Sequence, residues 1–179
     1  MSNQICRDIY CVDTSSLVTV QRLYRYAVFP GVWDGLDDLA RDGRLASPRE
    51  VLRELEQGSE DHIYRWAKQR EFIFRDLDQE QTEVARKIVN DPNYEGLFDF
   101  DKEIPEADPF VIALAIVEQA KNRMFGEHWI VTADEGSRRP GKKPRIPEVC
   151  NDHKYKVDCM KTLDMFEREG WRLLRAGGF

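Results

Sequence analysis

The chain has 179 residues, a formal net charge of −6, 41% hydrophobic residues and 34% charged residues. This composition excludes a disordered chain, and the length suits one domain over residues 1–179, with a core over about 8–160 and a C-terminal helix over 161–170. The negative charge argues against a protein that coats nucleic acid electrostatically, although an enzyme acting on nucleic acid needs only a local basic strip.

Localisation follows from what the sequence lacks. No segment reaches the roughly 18 apolar residues of a membrane helix, and residues 1–8 lack the apolar core of a signal peptide. We therefore expect a cytoplasmic protein that does not enter a membrane. The cysteines show no Cys-x-x-Cys spacing, which disfavours a zinc site and predicts buried or free thiols. These are Cys6, Cys11, Cys150 and Cys159.

The N-terminal half predicts one strand followed by helices. Residues 9–12 form an apolar run that ends at Asp13, which is typical of a buried strand. Apolar residues at helical spacing then predict three helices. These cover residues 32–40, 47 to about 57, and 61–70. A short strand or extended segment is predicted over residues 72–74.

The helix that starts at Ser47 carries a candidate acidic residue. Ser47 is its predicted N-cap, with Pro48 in the first helical position and Glu50 placed for a capping box. A rotation of 100° per residue puts Glu54 and Glu56 on the two flanks of its apolar stripe. Either flank can direct a carboxylate into a neighbouring cleft, so the helical wheel does not choose between them.

The C-terminal half predicts a buried helix and a second strand. Asp78 and Gln81 form a capping box ahead of another helix, and residues 91–106 read as a long loop that can border a site. Further elements follow in chain order. These are a helix over 109–123 that is apolar nearly all round, a strand over 129–133, a basic loop over 136–147, a helical turn over 147–152 and a closing helix over 162–169.

Four carboxylates are placed where an α/β chain would bring them together. Asp13 and Asp134 each follow a predicted strand, so parallel strands would deliver both to the carboxyl edge of the sheet, where open α/β sheets bind ligands. Asp108 precedes Pro109 and is also a good N-cap candidate. Carboxylates crowded at that edge repel one another unless they are protonated or bound to cations. The pattern therefore predicts a Mg²⁺ or Mn²⁺ site.

Short motifs around these acids resemble the PIN-domain ribonucleases, which include the VapC-like toxins of toxin–antitoxin pairs. Residues 9–15 are similar to the opening strand and first acid of that family, and residues 47–55 to the segment with its second acid, which selects Glu54. Residues 107–115 resemble the helix with the third acid, Asp108. Residues 131–134 resemble the Thr-x-Asp that supplies the fourth, Asp134, although the aromatic that often follows in the family is absent here.

The resemblance implies a fold, a chemistry and partners. The expected fold is a three-layer α/β/α sandwich with a central, mainly parallel sheet. The expected activity is metal-dependent hydrolysis of RNA phosphodiester bonds, in which Asp13, Glu54, Asp108 and Asp134 are catalytic and hold one or two Mg²⁺ or Mn²⁺ ions. Thr14, Ser15 and Thr132 are candidates for orienting ligands or substrate. A cognate antitoxin protein and a homodimer are the implied partners beside the RNA substrate.

Other interpretations stay open at this level. The basic loop can steer an RNA backbone toward the acids or be an ordinary solvated loop. Its cations are Arg138, Arg139, Lys142, Lys143 and Arg145. Asp13 could instead be the nucleophile of an aspartyl-phosphate phosphatase, but Ser15 stands where such enzymes have a second aspartate. A third alternative is a non-catalytic interaction module with a PIN-like fold.

Overall fold

A five-stranded parallel sheet organises the chain. The structure is a computed structural model that describes residues 7–58, 62–98, 106–134 and 143–171. The strands are β1 (Arg7–Val12), β2 (Leu45–Pro48), β3 (Phe74–Arg75), β4 (Glu127–Thr132) and β5 (Asp158–Met160). They lie in the order β3-β2-β1-β4-β5, and every neighbouring pair is parallel. The predicted α/β fold with a central parallel sheet is therefore confirmed.

Eight α-helices lie in the described part of the chain. They are α1 (Thr14–Leu23), α2 (Pro30–Arg41), α3 (Arg49–Gly58), α4 (His62–Gln69), α5 (Gln79–Val89), α6 (Asp108–Asn122), α7 (Ile146–Asn151) and α8 (Thr162–Arg168). Short 3₁₀ turns cover Glu71–Ile73, Pro92–Tyr94 and Arg123–Phe125. None of these helices is long and apolar enough to cross a membrane.

The helices form two layers, one on each face of the sheet. Strand-to-strand crossovers are right-handed, so connections that run in opposite directions along the sheet lie on opposite faces. Helix α6 packs across β1, β2 and β4 with α5 and α7 beside it, whereas α1 contacts α3, α4 and α8. The arrangement is a three-layer α/β/α sandwich, as expected.

The register of the sheet brings two strand ends to one place. Strand β1 pairs with β4 from Arg7↔Glu127 to Val12↔Thr132, so both strands finish level. The chain leaves β1 toward β2 and β3, then crosses over to β4 and β5, and the direction of winding reverses between β1 and β4. A reversal of this kind opens a crevice at the carboxyl ends of the strands. Asp13 and Asp134 follow β1 and β4 at this crevice.

Several predicted elements differ from the structure. Ser47 is not an N-cap: it lies in β2, fully buried, and its hydroxyl donates to the Val12 carbonyl at 2.7 Å. Asp108 is not an N-cap either, because Ala107 takes that position and Asp108 is the first residue of α6. Residues 72–74 divide between a 3₁₀ turn and β3. Helix α1 and strands β2 and β5 were not predicted.

The core lies around the sheet and α6. Helix α6 buries residues around most of its circumference, as its apolar sequence predicts. Tyr10 and Trp129 from the sheet, and Ile112 and Leu114 from α6, are among the largest fully buried side chains. Because this packing fixes α6 against β1 and β4, the first turn of α6 is held beside the crevice.

Candidate active site

Asp13 occupies the junction between β1 and α1. It is the N-cap of α1, and one carboxylate oxygen accepts a hydrogen bond from the Ser16 backbone N–H at 2.8 Å. The other accepts from the Ser15 hydroxyl at 2.7 Å. The residue is only 2% exposed. The structural role of an N-cap and a place at the crevice therefore coincide in one side chain.

Glu54 joins three helices at the same edge. One of its oxygens accepts a hydrogen bond from the Thr14 hydroxyl, and the other accepts from the Ala107 backbone N–H at 2.8 Å. Thr14 begins α1, and Ala107 immediately precedes Asp108. Glu56, the alternative on the opposite flank of α3, is exposed and accepts from the Tyr64 hydroxyl instead. Of the two flank residues, Glu54 is the one that contacts the sequence neighbours of Asp13 and Asp108, namely Thr14 and Ala107.

Asp134 is hydrogen-bonded to both α1 and α8. Its backbone N–H donates to the Ser15 hydroxyl at 3.1 Å, which connects it to Asp13 through one side chain. Its carboxylate accepts from the Thr162 backbone N–H at 3.0 Å and from the Thr162 hydroxyl. Thr162 is buried at the start of α8. Its role was missed, because nothing in its local sequence links it to Asp134.

A further acid and a lysine lie beside Asp108. Asp108 itself is half-buried. Glu106, two residues earlier, is 7% exposed and accepts a hydrogen bond from the Lys143 ammonium at 2.8 Å. Lys143 is one of the five predicted RNA-backbone cations. Arg145 is half-buried just before α7, and the remaining three, Arg138, Arg139 and Lys142, lie outside the described residues.

The predicted site residues are connected through hydroxyls and amides. A path of hydrogen bonds and adjacent residues runs from Asp134 through Ser15 to Asp13, and from Thr14 through Glu54 to the start of α6. Thr14 and Ser15 donate hydrogen bonds to Glu54 and Asp13. The Thr132 hydroxyl is buried and has no hydrogen-bond partner among the described residues. The chain does bring the acid-bearing segments from four distant parts of the sequence to one edge.

The described carboxylates do not converge as a ready-made set of metal ligands. Within the described ranges, no group of three or more His, Cys, Asp or Glu side chains is arranged to hold a metal ion. Both oxygens of Asp13, Glu54 and Asp134 instead accept hydrogen bonds from the chain. The donor set, carboxylate and hydroxyl oxygen, is the type that Mg²⁺ and Mn²⁺ prefer. Its chemistry fits a hard cation, and ligation would require these side chains to exchange some of those bonds.

Cysteine and histidine contribute little to this edge. Among the described residues, Cys11, Cys150 and Cys159 are free thiols, whereas Cys6 lies outside them. Burial raises the pKa of Cys11, so its thiol stays protonated and is a poor nucleophile. A hydrogen bond with Cys159, together with burial, raises the pKa of Cys150. His128 bridges Asp8 and Asp158 near the opposite end of the strands, which is a structural position.

Fold and site together define an α/β protein with a carboxylate-rich edge at the switch point of a parallel sheet. Residues 10–173 match the model of the family described as a domain of unknown function, DUF4411, and the chain belongs to this family. No curated protein and no solved structure matches it.

Proposed function

We propose that this protein is a metal-dependent endoribonuclease that hydrolyses RNA phosphodiester bonds. One observation carries the proposal: the hydrogen-bonded path that links Asp13, Glu54, Asp134 and the first turn of α6 at the crevice between β1 and β4. This path holds acid-bearing segments from four parts of the chain at the carboxyl edge of the sheet, where open α/β sheets bind their ligands.

The proposed cofactor is Mg²⁺ or Mn²⁺, held by Asp13, Glu54, Asp108 and Asp134. When bound, such an ion lowers the pKa of water and neutralises charge on a phosphate. Thr14, Ser15 and Thr162 would keep the carboxylates oriented, because each already donates a hydrogen bond to one of them. Their respective acceptors are Glu54, Asp13 and Asp134.

Lys143 is proposed to bind a phosphate of the RNA substrate next to the acids. Its ammonium, 2.8 Å from Glu106, is about half exposed, so its pairing with that buried carboxylate leaves it accessible to a substrate phosphate. Arg145 and the loop cations Arg138, Arg139 and Lys142 would extend this basic strip. An acidic protein with a local cluster of cations can still attract an RNA backbone.

The finer assignment rests on the resemblance to PIN-domain ribonucleases. Within it, the protein would be a toxin of a toxin–antitoxin pair, acting on RNA in the cytoplasm, with a cognate antitoxin and a homodimeric assembly. The parallel three-layer fold supports this reading, since the resemblance implies the same architecture.

Cleavage of RNA tests the proposal directly. Purified protein would be incubated with single-stranded and structured RNAs in Mg²⁺, in Mn²⁺ or in chelator. We expect cleavage with metal only, and a loss of roughly 100-fold or more in Asp13→Asn and Asp108→Asn. Asp34→Asn, which changes an exposed carboxylate on α2, is the matched control and should cleave normally. Equal cleavage by all four proteins, or cleavage in chelator, would refute the mechanism.

A second candidate is a non-catalytic interaction module. It is favoured by the fully hydrogen-bonded carboxylates and by the absence of a three-ligand group among the described side chains. This alternative predicts no cleavage of any RNA with either metal, and a thermal stability that does not respond to Mg²⁺ or Mn²⁺.

A further inference from the structure

A second surface, separate from the carboxylate edge, has the form of a binding pocket. A cavity of about 490 Å³ lies between α1, the segment that follows it, α2 and α4. We call it the arginine–aromatic pocket. Its lining residues are Val18, Gln21, Arg22, Arg25, Tyr26, Trp33 and His62. Its described lining contains two arginines and no acidic residue.

One wall of the pocket is a cluster of aromatic rings. Trp33 is buried, and its ring packs against His62 at 4.7 Å and Tyr26 at 6.4 Å between centroids. The Trp33 indole N–H donates to the Tyr24 carbonyl at 2.6 Å, which fixes the ring. Tyr26 is 52% exposed. A half-exposed ring supported by fixed neighbours offers a flat surface against which another planar group can stack.

Among the described residues, the two arginines of the pocket have no counter-ion. Arg22 and Arg25 are exposed, and neither guanidinium forms an ion pair or hydrogen bond with a described residue. In contrast, Arg41, Arg44, Arg49 and Arg70 are each paired with an acid. In a chain with a net charge of −6, two cations on one cavity wall, without an acidic partner among the described residues, favour the binding of an anion.

Helix α1 connects the pocket to the carboxylate edge. It begins next to Asp13, and Arg22 follows nine residues later, so the two positions are separated by about 13 Å along the helix axis. At about 3.4 Å per stacked nucleotide, roughly four nucleotides of a single strand span that distance.

We propose that the arginine–aromatic pocket binds the single-stranded flank of an RNA, with a base stacked on Tyr26 and phosphates at Arg22 and Arg25. This inference rests on the proposed ribonuclease function, because the bound RNA would be the substrate. Binding can nevertheless be measured without cleavage. An RNA strand matches both features of the pocket, since it repeats an anion and a planar ring at every unit. An acidic peptide would match only the charge.

Binding of a labelled single-stranded RNA tests the pocket. Fluorescence anisotropy would be followed against salt in the Asp13→Asn protein, so that RNA is not consumed. Replacing both arginines, Arg22→Gln and Arg25→Gln, should weaken binding roughly tenfold and reduce the slope of log K against log salt by about 1.4, or 0.7 per phosphate contact. The matched control replaces Arg86 and Arg123 by Gln, since both are exposed and unpaired within the described residues. It should bind like the parent protein.

The aromatic part of the proposal has its own test. Tyr26→Leu should weaken RNA binding roughly tenfold, whereas Tyr26→Phe, which keeps the ring, should bind normally. Equal affinity of the Leu and Phe variants, or displacement of RNA by polyglutamate at equal charge concentration, would overturn the stacking model in favour of an anion or acidic-peptide site.

The outcomes separate this inference from the proposed function. If the double arginine variant binds RNA like its control while the unmodified protein cleaves RNA with Mg²⁺, the pocket proposal is wrong and the ribonuclease proposal stands. If binding depends on the pocket but no metal supports cleavage, the pocket proposal stands and the ribonuclease proposal is wrong.

Discussion

At the scale of single residues, Asp91 is held by a buried polar network at the end of α5. It is 4% exposed, and its carboxylate accepts hydrogen bonds from the Lys154 ammonium at 2.7 Å and the Tyr155 hydroxyl at 3.0 Å. The hydrogen bond from Lys154, followed by one from the Asn93 backbone, lowers the pKa of Asp91 to about 2, from an ordinary value of 3.8. Asp91 therefore couples the fold to pH.

The lowered pKa of Asp91 makes the stability of the fold depend on pH in a defined direction. A carboxyl whose pKa is lowered by folding stabilises the folded state above its unfolded pKa and loses that contribution as pH falls through the folded value. We expect the free energy of unfolding to fall between about pH 4 and pH 2, and to fall less steeply in Asp91→Asn. Urea unfolding at a series of pH values measures the slope. Asp34→Asn, at an exposed position, should keep the parent slope, and an Asp91→Asn slope equal to the parent's would contradict the assignment.

The acids themselves could be found from sequence, but their partners could not. Asp13 and Asp134 follow apolar strands, and this local pattern predicted their shared edge. Glu54 needed the resemblance to be separated from Glu56. Thr162 and Glu106 were not predicted as site residues, because their contacts join distant positions. Thr162 contacts Asp134, 28 residues away, and Glu106 contacts Lys143, 37 residues away. Local periodicity carries no information about such pairings.

At the scale of elements, α2 packs closely against Trp171, which follows α8, at a glycine. A Cβ placed on Gly35 would lie 2.5 Å from the Trp171 ring, which stacks on Phe166 with a centroid distance of 4.8 Å. A contact this short forces the ring to shift. We expect Gly35→Ala to lower the free energy of unfolding by about 1–3 kcal/mol, despite the better helix propensity of alanine. Chemical denaturation measures the change.

A control lies on the same helix. Gly31 has nothing within 4 Å of its virtual Cβ, so Gly31→Ala should be neutral or stabilise the protein by up to about 1 kcal/mol. In Trp171→Ala, the ring is absent and Gly35→Ala should lose its penalty. If Gly35→Ala costs as much without Trp171 as with it, the steric explanation is incorrect.

The elements that sequence reasoning missed are those with short or mixed patterns. Helix α1 is rich in Ser, Thr and Val, which favour other conformations, and its burial of Leu17 and Val20 against the domain overrides that preference. Strand β2 ends in Ser47-Pro48, which imitates a helix start, yet all four of its residues are buried in the sheet. Strand β5 has three residues, too few for periodicity to be visible. The long patterns of α5, α6, β1 and β4 were correctly predicted.

At the scale of the whole molecule, the proposed cation should act as a stabilising ligand. A metal that binds only the folded protein, present at 100 times its dissociation constant, adds about 2.7 kcal/mol to the free energy of unfolding. For a chain of this length we expect the melting temperature to rise by roughly 5–10 °C. Differential scanning calorimetry with Mg²⁺, Mn²⁺ or chelator measures this shift.

A pair of variants on α3 makes the measurement specific. In Glu54→Gln, the amide oxygen can accept from the Ala107 N–H and the amide NH2 can donate to the Thr14 hydroxyl, while one charge is removed. The stabilisation by metal should therefore shrink while the metal-free protein stays folded. Glu56→Gln, on the exposed flank of the same helix, should respond to metal like the parent. An equal response in both variants would remove Glu54 from the ligand set.

The two borders of the sheet limit how this protein can meet other chains. Strand β3 offers only Phe74 and Arg75, and strand β5 only three residues that begin with the exposed Asp158. Edge strands this short, each with a charged residue, offer another polypeptide too few free backbone groups for strand pairing. Fibril-like growth through the described edges of the sheet is thereby discouraged.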